Sequence, residues 1–169
     1  MEKDEFGGVE IVKPVVDYSV KSLCRKPYHN HTKGCPNSYK ESKKQCPPRA
    51  PKIEDVINLN KPVYCIYNIF EIGKHISKMK KKHPDWTEHQ LRCCLYWQPV
   101  ARKQLKERIK NFLKEHRDVI NVECPEGCGV NLTVTMKNIG IELEWPPKKL
   151  AYQITLLGTP NNGTKRFKR

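Results

Sequence analysis

Three cysteines, Cys24, Cys35 and Cys46, could hold a metal in a segment that lacks the apolar residues to order itself by packing. Ten residues separate each cysteine from the next, which differs from the Cys-x2-Cys spacing of zinc ribbons. Proline follows Cys35 and Cys46, and cysteine followed by proline recurs in ferredoxin cluster motifs. Residues 24–51 are rich in lysine and proline, and a loop of this length needs something to organise it. We therefore predict a metal site on these three thiols.

The fourth ligand of a closed site has several candidates. His31 lies in the same loop and would complete a Cys3His zinc set, and His29 could take its place. Cys124 and Cys128 form a second tier, because they lie between a predicted strand and a predicted helix, where ligand sites occur. Two metal sites stay open: a [4Fe–4S] cluster on the three cysteines, or zinc on Cys24, His31, Cys35 and Cys46. A third interpretation has no metal, since reduced cysteine also packs as a small apolar residue.

The remaining cysteines are expected to serve packing. Cys65 lies in PVYCIYNIF, a stretch typical of a buried strand. Cys93 and Cys94 lie on a predicted helix, where neighbouring side chains point roughly 100° apart and do not chelate one ion together.

Charge predicts an anionic partner. The formal net charge is +14 and the pI about 9.5, an excess that attracts polyanions such as nucleic acid, or a phosphorylated ligand. Trp86, Tyr96 and Trp97 could stack on bases while Arg92 and Arg102 bind phosphate. The competing interpretation is that these aromatic rings anchor helices to the sheet and that the lysines only solvate the surface.

No secretory signal is visible at the acidic, polar N-terminus, and no apolar run is long enough to span a membrane. We expect a cytoplasmic protein in which the cysteines stay reduced. The sequence contains no P-loop, Rossmann fingerprint, HExxH motif or serine-nucleophile elbow. It therefore specifies no reaction and leaves open whether the protein is an enzyme.

The hydrophobic pattern predicts one α/β or α+β domain over residues 1–158, with a mixed sheet of about four to five strands, flanking helices and the Cys-rich loop 24–51. Residues 159–169 are predicted to be a basic disordered tail. Strand, helix and strand over 119–145 predict a parallel crossover. The predicted strands are at 9–12, 62–70, 119–123, 141–145 and 150–157. The predicted helices run from 72 to before Pro84, from Thr87 to about His116 with a kink or restart at Pro99, and before Gly140.

Four stretches resemble a family of small uncharacterised bacterial and phage proteins described only as predicted metal-binding. The stretches are CRKPYHNHTKGCPN, KQCPP, HPDWTEHQLRCCLYWQPVARKQL and GVNLTVTMKNIGIELEWPP, and the resemblance runs from about Cys24 to Pro147. It implies a metal site at Cys24, Cys35 and Cys46, with His31 a candidate member, and it implies no particular reaction. The family's core pattern omits Cys93, Cys94, Cys124 and Cys128.

Together these observations predict an iron–sulfur protein with a redox or sulfur-chemistry role on an anionic ligand, a nucleotide or nucleic acid. Basic residues near the loop would attract that ligand: Arg25, Lys26, Lys33, Lys43 and Lys44. The alternative is a zinc-stabilised module that binds nucleic acid without catalysis. A third hypothesis is a metal-stabilised interaction module with no nucleic-acid partner.

Overall fold

A single antiparallel sheet forms the centre of the molecule. The computed structural model describes residues 3–27, 32–38, 40, 42, 44 and 46–161. Five strands lie in the order β1-β2-β3-β5-β4, and every ladder among them is antiparallel. The strands are β1 (Lys3–Asp4), β2 (Gly7–Val12), β3 (Val63–Phe70), β4 (Ile120–Val122) and β5 (Ala151–Gly158).

Both faces of the central strands are covered, which explains their near-continuous apolar sequences. β3 and β5 pair from Val63↔Gly158 to Phe70↔Ala151. Alternate side chains of β3 point to opposite faces: Cys65 and Tyr67 join the largest core cluster, while Ile66 joins a second cluster.

The described part of the chain contains six helical segments besides the sheet. They are the 3-10 helix Tyr18–Arg25, α1 (Ile53–Val56), α2 (Ile72–Lys82), α3 (Glu88–Leu91), α4 (Cys94–Glu115) and α5 (Leu132–Lys137). The second core cluster lies under α4, whose Leu105, Ile109 and Phe112 pack on it. Thr87 and Gln90 form the predicted capping box at the start of α3, and α4 runs through Pro99.

The structure confirms a single α+β domain with flanking helices, and it confirms the strands and helices with strong local patterns. The expected mixed sheet is wrong, because each strand pairs antiparallel with its neighbours. The predicted strand 141–145 is irregular chain. This segment forms no ladder with β4, so the predicted parallel crossover over 119–145 does not form. Ile141 and Leu143 instead pack on the largest core cluster.

The first residues of the expected disordered tail, 159–161, are hydrogen-bonded to the rest of the molecule. The chain remains bonded past position 158, where Thr159 O accepts from Asn58 N at 2.8 Å and Asn161 N donates to Val56 O at 3.1 Å. The rest of the expected tail, residues 162–169, lies outside the described residues.

Within the described ranges, no helix combines the length and apolarity needed to cross a bilayer.

Candidate metal centre

The segments that carry Cys24 and Cys35 are joined backbone to backbone. Cys24 lies in the last turn of the 3-10 helix, and its carbonyl accepts from the Cys35 N–H at 2.8 Å. Gly34, with φ +79°, makes this approach possible, since a Cβ at that position would lie 2.6 Å from the Cys24 carbonyl oxygen. The chain therefore holds the two cysteines side by side although ten residues separate them.

Cys46 begins a tight turn that is attached to the same helix. Its carbonyl accepts from the N–H groups of Arg49 and Ala50, each at 3.1 Å. Lys21, on the 3-10 helix, donates from Nζ to the Ala50 carbonyl at 3.2 Å. The third cysteine is thus linked to the element that carries the first.

Cys124 begins a second tight turn, directly after β4. Its carbonyl accepts from Cys128 N at 3.2 Å, the Pro125 carbonyl accepts from Val130 N at 3.0 Å, and the Glu126 carbonyl accepts from Gly129 N at 3.0 Å. These bonds close residues 124–130 into a compact unit whose shape is set by its backbone.

The Cys124 turn contacts the other cysteine segments at its far end. The Gly129 carbonyl accepts from Asp17 N at 2.8 Å, and a Cβ on Gly129 would lie 2.4 Å from Cδ1 of Tyr18. The Cys128 carbonyl accepts from Ile53 N at 3.0 Å, just beyond the Cys46 turn. Four separate segments of the chain, each with a cysteine, therefore meet in one region.

The causes of the raised pKa values of Cys24 and Cys124 place the thiols in one electrostatic neighbourhood. Burial, followed by the charges of Cys35 and Cys46, raises the pKa of Cys24. Burial raises the pKa of Cys124 to about 12, with Glu126 and Cys46 as further causes. Because Cys46 acts on both Cys24 and Cys124, it connects the loop thiols to the Cys124 turn. We call Cys24, Cys35, Cys46 and Cys124 the thiol cluster.

Glu126 adds negative charge beside the thiol cluster. Its charge contributes to the raised pKa of Cys24 and of Cys124. The surrounding protein raises the pKa of Glu126 itself, although its side chain remains exposed to solvent by surface area. Each of these groups disfavours the ionisation of its neighbours, which a bound cation would reverse.

The side chains do not converge on one point as they stand. Among the described residues, no three His, Cys, Asp or Glu side chains are close enough to hold a single metal ion. Zinc–sulfur bonds are about 2.3 Å long, so binding at the thiol cluster would require its thiols to rotate inward. His31 and His29, the local candidates for a fourth ligand, lie outside the described residues.

The other cysteines separate from the thiol cluster. All eight are reduced thiols. Cys128 is buried in the largest core cluster, and Cys65 is buried there with its sulfur 3.5 Å from that of Met136. Cys93 is the N-cap of α4 and Cys94 its first residue. The predicted second-tier pair is thus divided, because Cys124 joins the thiol cluster and Cys128 faces the core.

The aromatic candidates divide in the same way. Trp97 is only 6% exposed and stacks on Phe70 at a ring-centroid distance of 5.3 Å, so it anchors α4 to the sheet. Trp86 and Tyr96 instead stack on each other at 5.1 Å near the surface. Arg92 is held by Glu88 at 2.8 Å, and Arg102 donates to Gln98 at 2.9 Å.

Sequence reasoning gave Cys124 less weight than its position merits, and it missed Gly34 and Glu126. One local pattern favoured Cys124, since proline follows it just as proline follows Cys35 and Cys46. No comparable local pattern marks Gly34 or Glu126, whose roles depend on contacts with distant segments.

No family model, curated protein or solved structure matches this chain. The family resemblance of the cysteine motifs therefore remains a prediction. The features of this chain that bear on its function are the thiol cluster and the charged and aromatic surface.

Proposed function

We propose that this protein binds a metal centre through the thiolates of Cys24, Cys35, Cys46 and Cys124, and that the centre is an iron–sulfur cluster. The observation that carries the proposal is the meeting of four cysteine segments, tied by backbone hydrogen bonds, with thiols that influence one another's ionisation. A [4Fe–4S] cluster takes four thiolates, one for each iron.

The surroundings of the thiol cluster support soft-metal binding over simple packing. Its four thiols are half-buried, in contrast to the buried Cys65 and Cys128. Burial and nearby negative groups raise the pKa of Cys24 and of Cys124, so their isolated thiolates are unfavourable. A cation that bonds directly to sulfur offsets this repulsion.

The chain chemistry around the thiols supports a cluster. Proline follows three of the four cysteines, Cys35, Cys46 and Cys124, and proline removes a backbone donor and fixes the turn next to the thiol. When bound, such a cluster supplies one-electron or sulfur chemistry. The residues of this chain would hold it, with Gly34 and Gly129 setting the close approach of the segments.

Zinc is the second candidate, and a specific observation favours it. The thiol cluster joins segments that are far apart in sequence, and four thiolates complete a tetrahedral zinc site with no open position. In that case the metal would be structural and would link the polar loop to the sheet domain. His31 is the alternative fourth ligand of such a zinc site.

The proposal extends to a redox or sulfur-chemistry role on an anionic ligand, a nucleotide or nucleic acid. Its support is the net charge of +14 and the exposed basic side chains near the thiol cluster, Arg25, Lys26, Lys33 and Lys44. Lys43 lies outside the described residues. The proposal also places the protein in a reducing compartment such as the cytoplasm, where thiolates persist.

Purification without oxygen tests the metal centre directly. We expect a brown protein that contains iron and acid-labile sulfide in equal amounts. Cys24→Ser and Cys124→Ser should each abolish or strongly reduce the visible absorption and the metal content. Colourless protein with one zinc per chain would overturn the cluster and support the second candidate.

Cys93→Ser is the matched control, because Cys93 is also half-buried but lies outside the thiol cluster. It should keep the full metal content. If Cys124→Ser retains wild-type metal while a His31 variant loses it, the fourth ligand is His31 instead. Protein without metal, even after anaerobic reconstitution, would contradict both candidates.

A further inference from the structure

A stack of three aromatic rings closes the carboxyl end of α2. His83, the C-cap of α2, lies on Trp86 with ring centroids 4.1 Å apart and planes 7° from parallel. Trp86 in turn lies on Tyr96 of α4 at 5.1 Å and 25°. Lys80 holds the turn between them by donating to the Pro84 carbonyl at 2.6 Å and the Trp86 carbonyl at 3.3 Å.

The outer ring of this stack is available to a ligand. Tyr96 is 51% exposed, and its neighbour Leu95 is 76% exposed. Trp97, the next residue, is the one that faces the core. α4 therefore uses one aromatic residue to pack on the sheet and presents the adjacent one to solvent.

A lysine-lined groove lies on α2, the helix whose C-cap His83 belongs to the stack. The groove has a volume of about 470 Å³ and is lined by Gly73, Lys74, Ser77, Lys78 and Lys81. Lys74, Lys78 and Lys81 recur at helical spacing and so lie on one face. Lys74 pairs with Glu71 at 2.6 Å.

The irregular segment 145–149 extends this surface. Gly73 N donates to the Lys149 carbonyl at 3.1 Å, and Arg92 Nη1 donates to the Pro147 carbonyl at 3.1 Å. The segment therefore links α2 to the start of α4 through α3. It carries two more exposed lysines and Trp145, which is 76% exposed. Glu144 is occupied in accepting the N–H groups of Lys148 and Lys149.

We propose that the surface formed by α2, the ring stack and segment 145–149 binds single-stranded nucleic acid. Unpaired bases stack on Tyr96, which extends the existing stack by one ring, and the lysines of the groove contact the phosphates that follow. Single-strand binding sites combine these two features, a positive groove beside exposed aromatic rings. A duplex hides its base faces, so the exposed ring favours a single strand.

This inference deepens the anionic-ligand part of the proposed function and does not rest on the metal centre. Its residues are separate from the thiol cluster. Loss of metal and loss of nucleic-acid binding are consequently distinguishable, because both can be measured on the same protein.

The test uses the full-length protein as purified and fluorescein-labelled oligonucleotides of about twelve nucleotides, one of deoxyuridine and one of uridine. Fluorescence anisotropy gives the dissociation constant across a series of salt concentrations. Tyr96→Ala should weaken binding about tenfold by loss of one stacked base, while Tyr96→Phe should bind like the wild type. The tighter of the two oligonucleotides identifies the preferred sugar.

A paired lysine substitution tests the groove. Lys78→Gln with Lys81→Gln should reduce the slope of log Kd against log salt by about 0.7 for each lost phosphate contact. The matched control is Lys13→Gln with Lys61→Gln, which removes the same charge from exposed lysines at the opposite end of β3 from α2. The control should keep the wild-type slope.

Three results would overturn this inference. One is wild-type affinity in Tyr96→Ala, and another is an equal loss of slope in both lysine pairs. The third is a duplex of the same length that binds as tightly as the single strand. Metal content and circular dichroism of each variant establish that a loss of binding is not a loss of folding.

Discussion

In the centre of the sheet, β3 and β5 pair along eight residues and bury Ile66, Leu156 and Leu157 completely. In the cysteine region, the segments around Cys24, Cys35 and Cys46 contribute few buried apolar side chains and meet through main-chain hydrogen bonds. Two glycines make close contacts there, Gly34 with the main chain of Cys24 and Gly129 with the ring of Tyr18. One region is held by apolar burial and the other by backbone geometry.

This difference indicates in which region a bound metal would contribute most to stability. A buried leucine contributes roughly 2 kcal/mol by removal from water, whereas a main-chain hydrogen bond contributes a net of about 1 kcal/mol. The sheet centre is therefore stabilised chiefly by burial, whereas under the proposed function the cysteine region would gain most from bonds to a bound metal. Substitutions in the two regions should respond differently to chelators.

The largest effect is expected in the sheet centre. Leu156 is fully buried opposite Cys65 and Val122. Leu156→Ala should lower the free energy of unfolding by about 3–4 kcal/mol, from lost burial and the cavity left behind. Urea denaturation measures the loss, with and without a chelator. We expect the same loss in both conditions.

If the loss of stability in Leu156→Ala depended strongly on the chelator, the two regions would not be stabilised independently. Such a dependence would mean that the sheet and the cysteine region unfold as one unit whose stability is set by the metal. The slope of free energy against urea then provides a check, because it reports how much surface each transition exposes.

The next effect is expected at Gly34. An alanine there would have a left-handed φ of +79° and a Cβ 2.6 Å from the Cys24 carbonyl oxygen. Gly34→Ala should lower the free energy of unfolding by about 2–3 kcal/mol. It should also lower metal affinity, because the Cys35 segment can no longer approach Cys24. Denaturation and metal titration measure the two effects.

Gly140 supplies the matched control, since it also has φ +79° but a Cβ added there would meet no atom within 4 Å. Gly140→Ala should lose only about 1 kcal/mol, the left-handed backbone penalty, and should keep its metal. Equal losses in the two variants would show that the close approach at Gly34 contributes nothing, contrary to our account of the cysteine region.

The same division governs what the sequence could predict. β3, α2 and the Thr87 capping box were predicted because their patterns are local: a run of β-branched and aromatic residues, a helical repeat, and a cap with its partner three residues on. The periodicity of 141–145 is also local, but the strand that it predicted does not form. Its alternating side chains pack on the core without a neighbouring strand.

The candidate site was predicted only in part. The grouping of Cys24, Cys35 and Cys46 was a prediction from their shared stretch of sequence, and the structure joins the first two by the bond from Cys35 N to the Cys24 carbonyl. The place of Cys124 beside them depends on how the β4 turn docks on Asp17 and Ile53, which no local pattern encodes. The outward direction of Tyr96 and the inward direction of Trp97 likewise depend on which face of α4 meets the sheet.

The smallest expected effect is a pH dependence of the free energy of unfolding that comes from His75, next to the sheet, and not from the cysteine region. His75, on α2, lies against Phe70 with ring centroids 5.7 Å apart, and its Nε2 is buried without a hydrogen-bond partner among the described residues. Burial, and secondarily the charge of Lys78, lowers the pKa of His75 from its usual 6.5.

The sign of the effect follows from that direction. Well above pH 6.5 the histidine is neutral in both states, so the folded form keeps its full stability. As pH falls below 6.5, the unfolded chain takes up the proton first, and the free energy of unfolding decreases until the folded pKa is passed. His75→Gln should flatten this decrease, and Lys78→Gln should make it shallower, in urea denaturation between about pH 7 and 5. Because His75 packs on the end of β3, the decrease should persist in chelator; a decrease that vanishes with the metal would assign it to the thiol cluster instead.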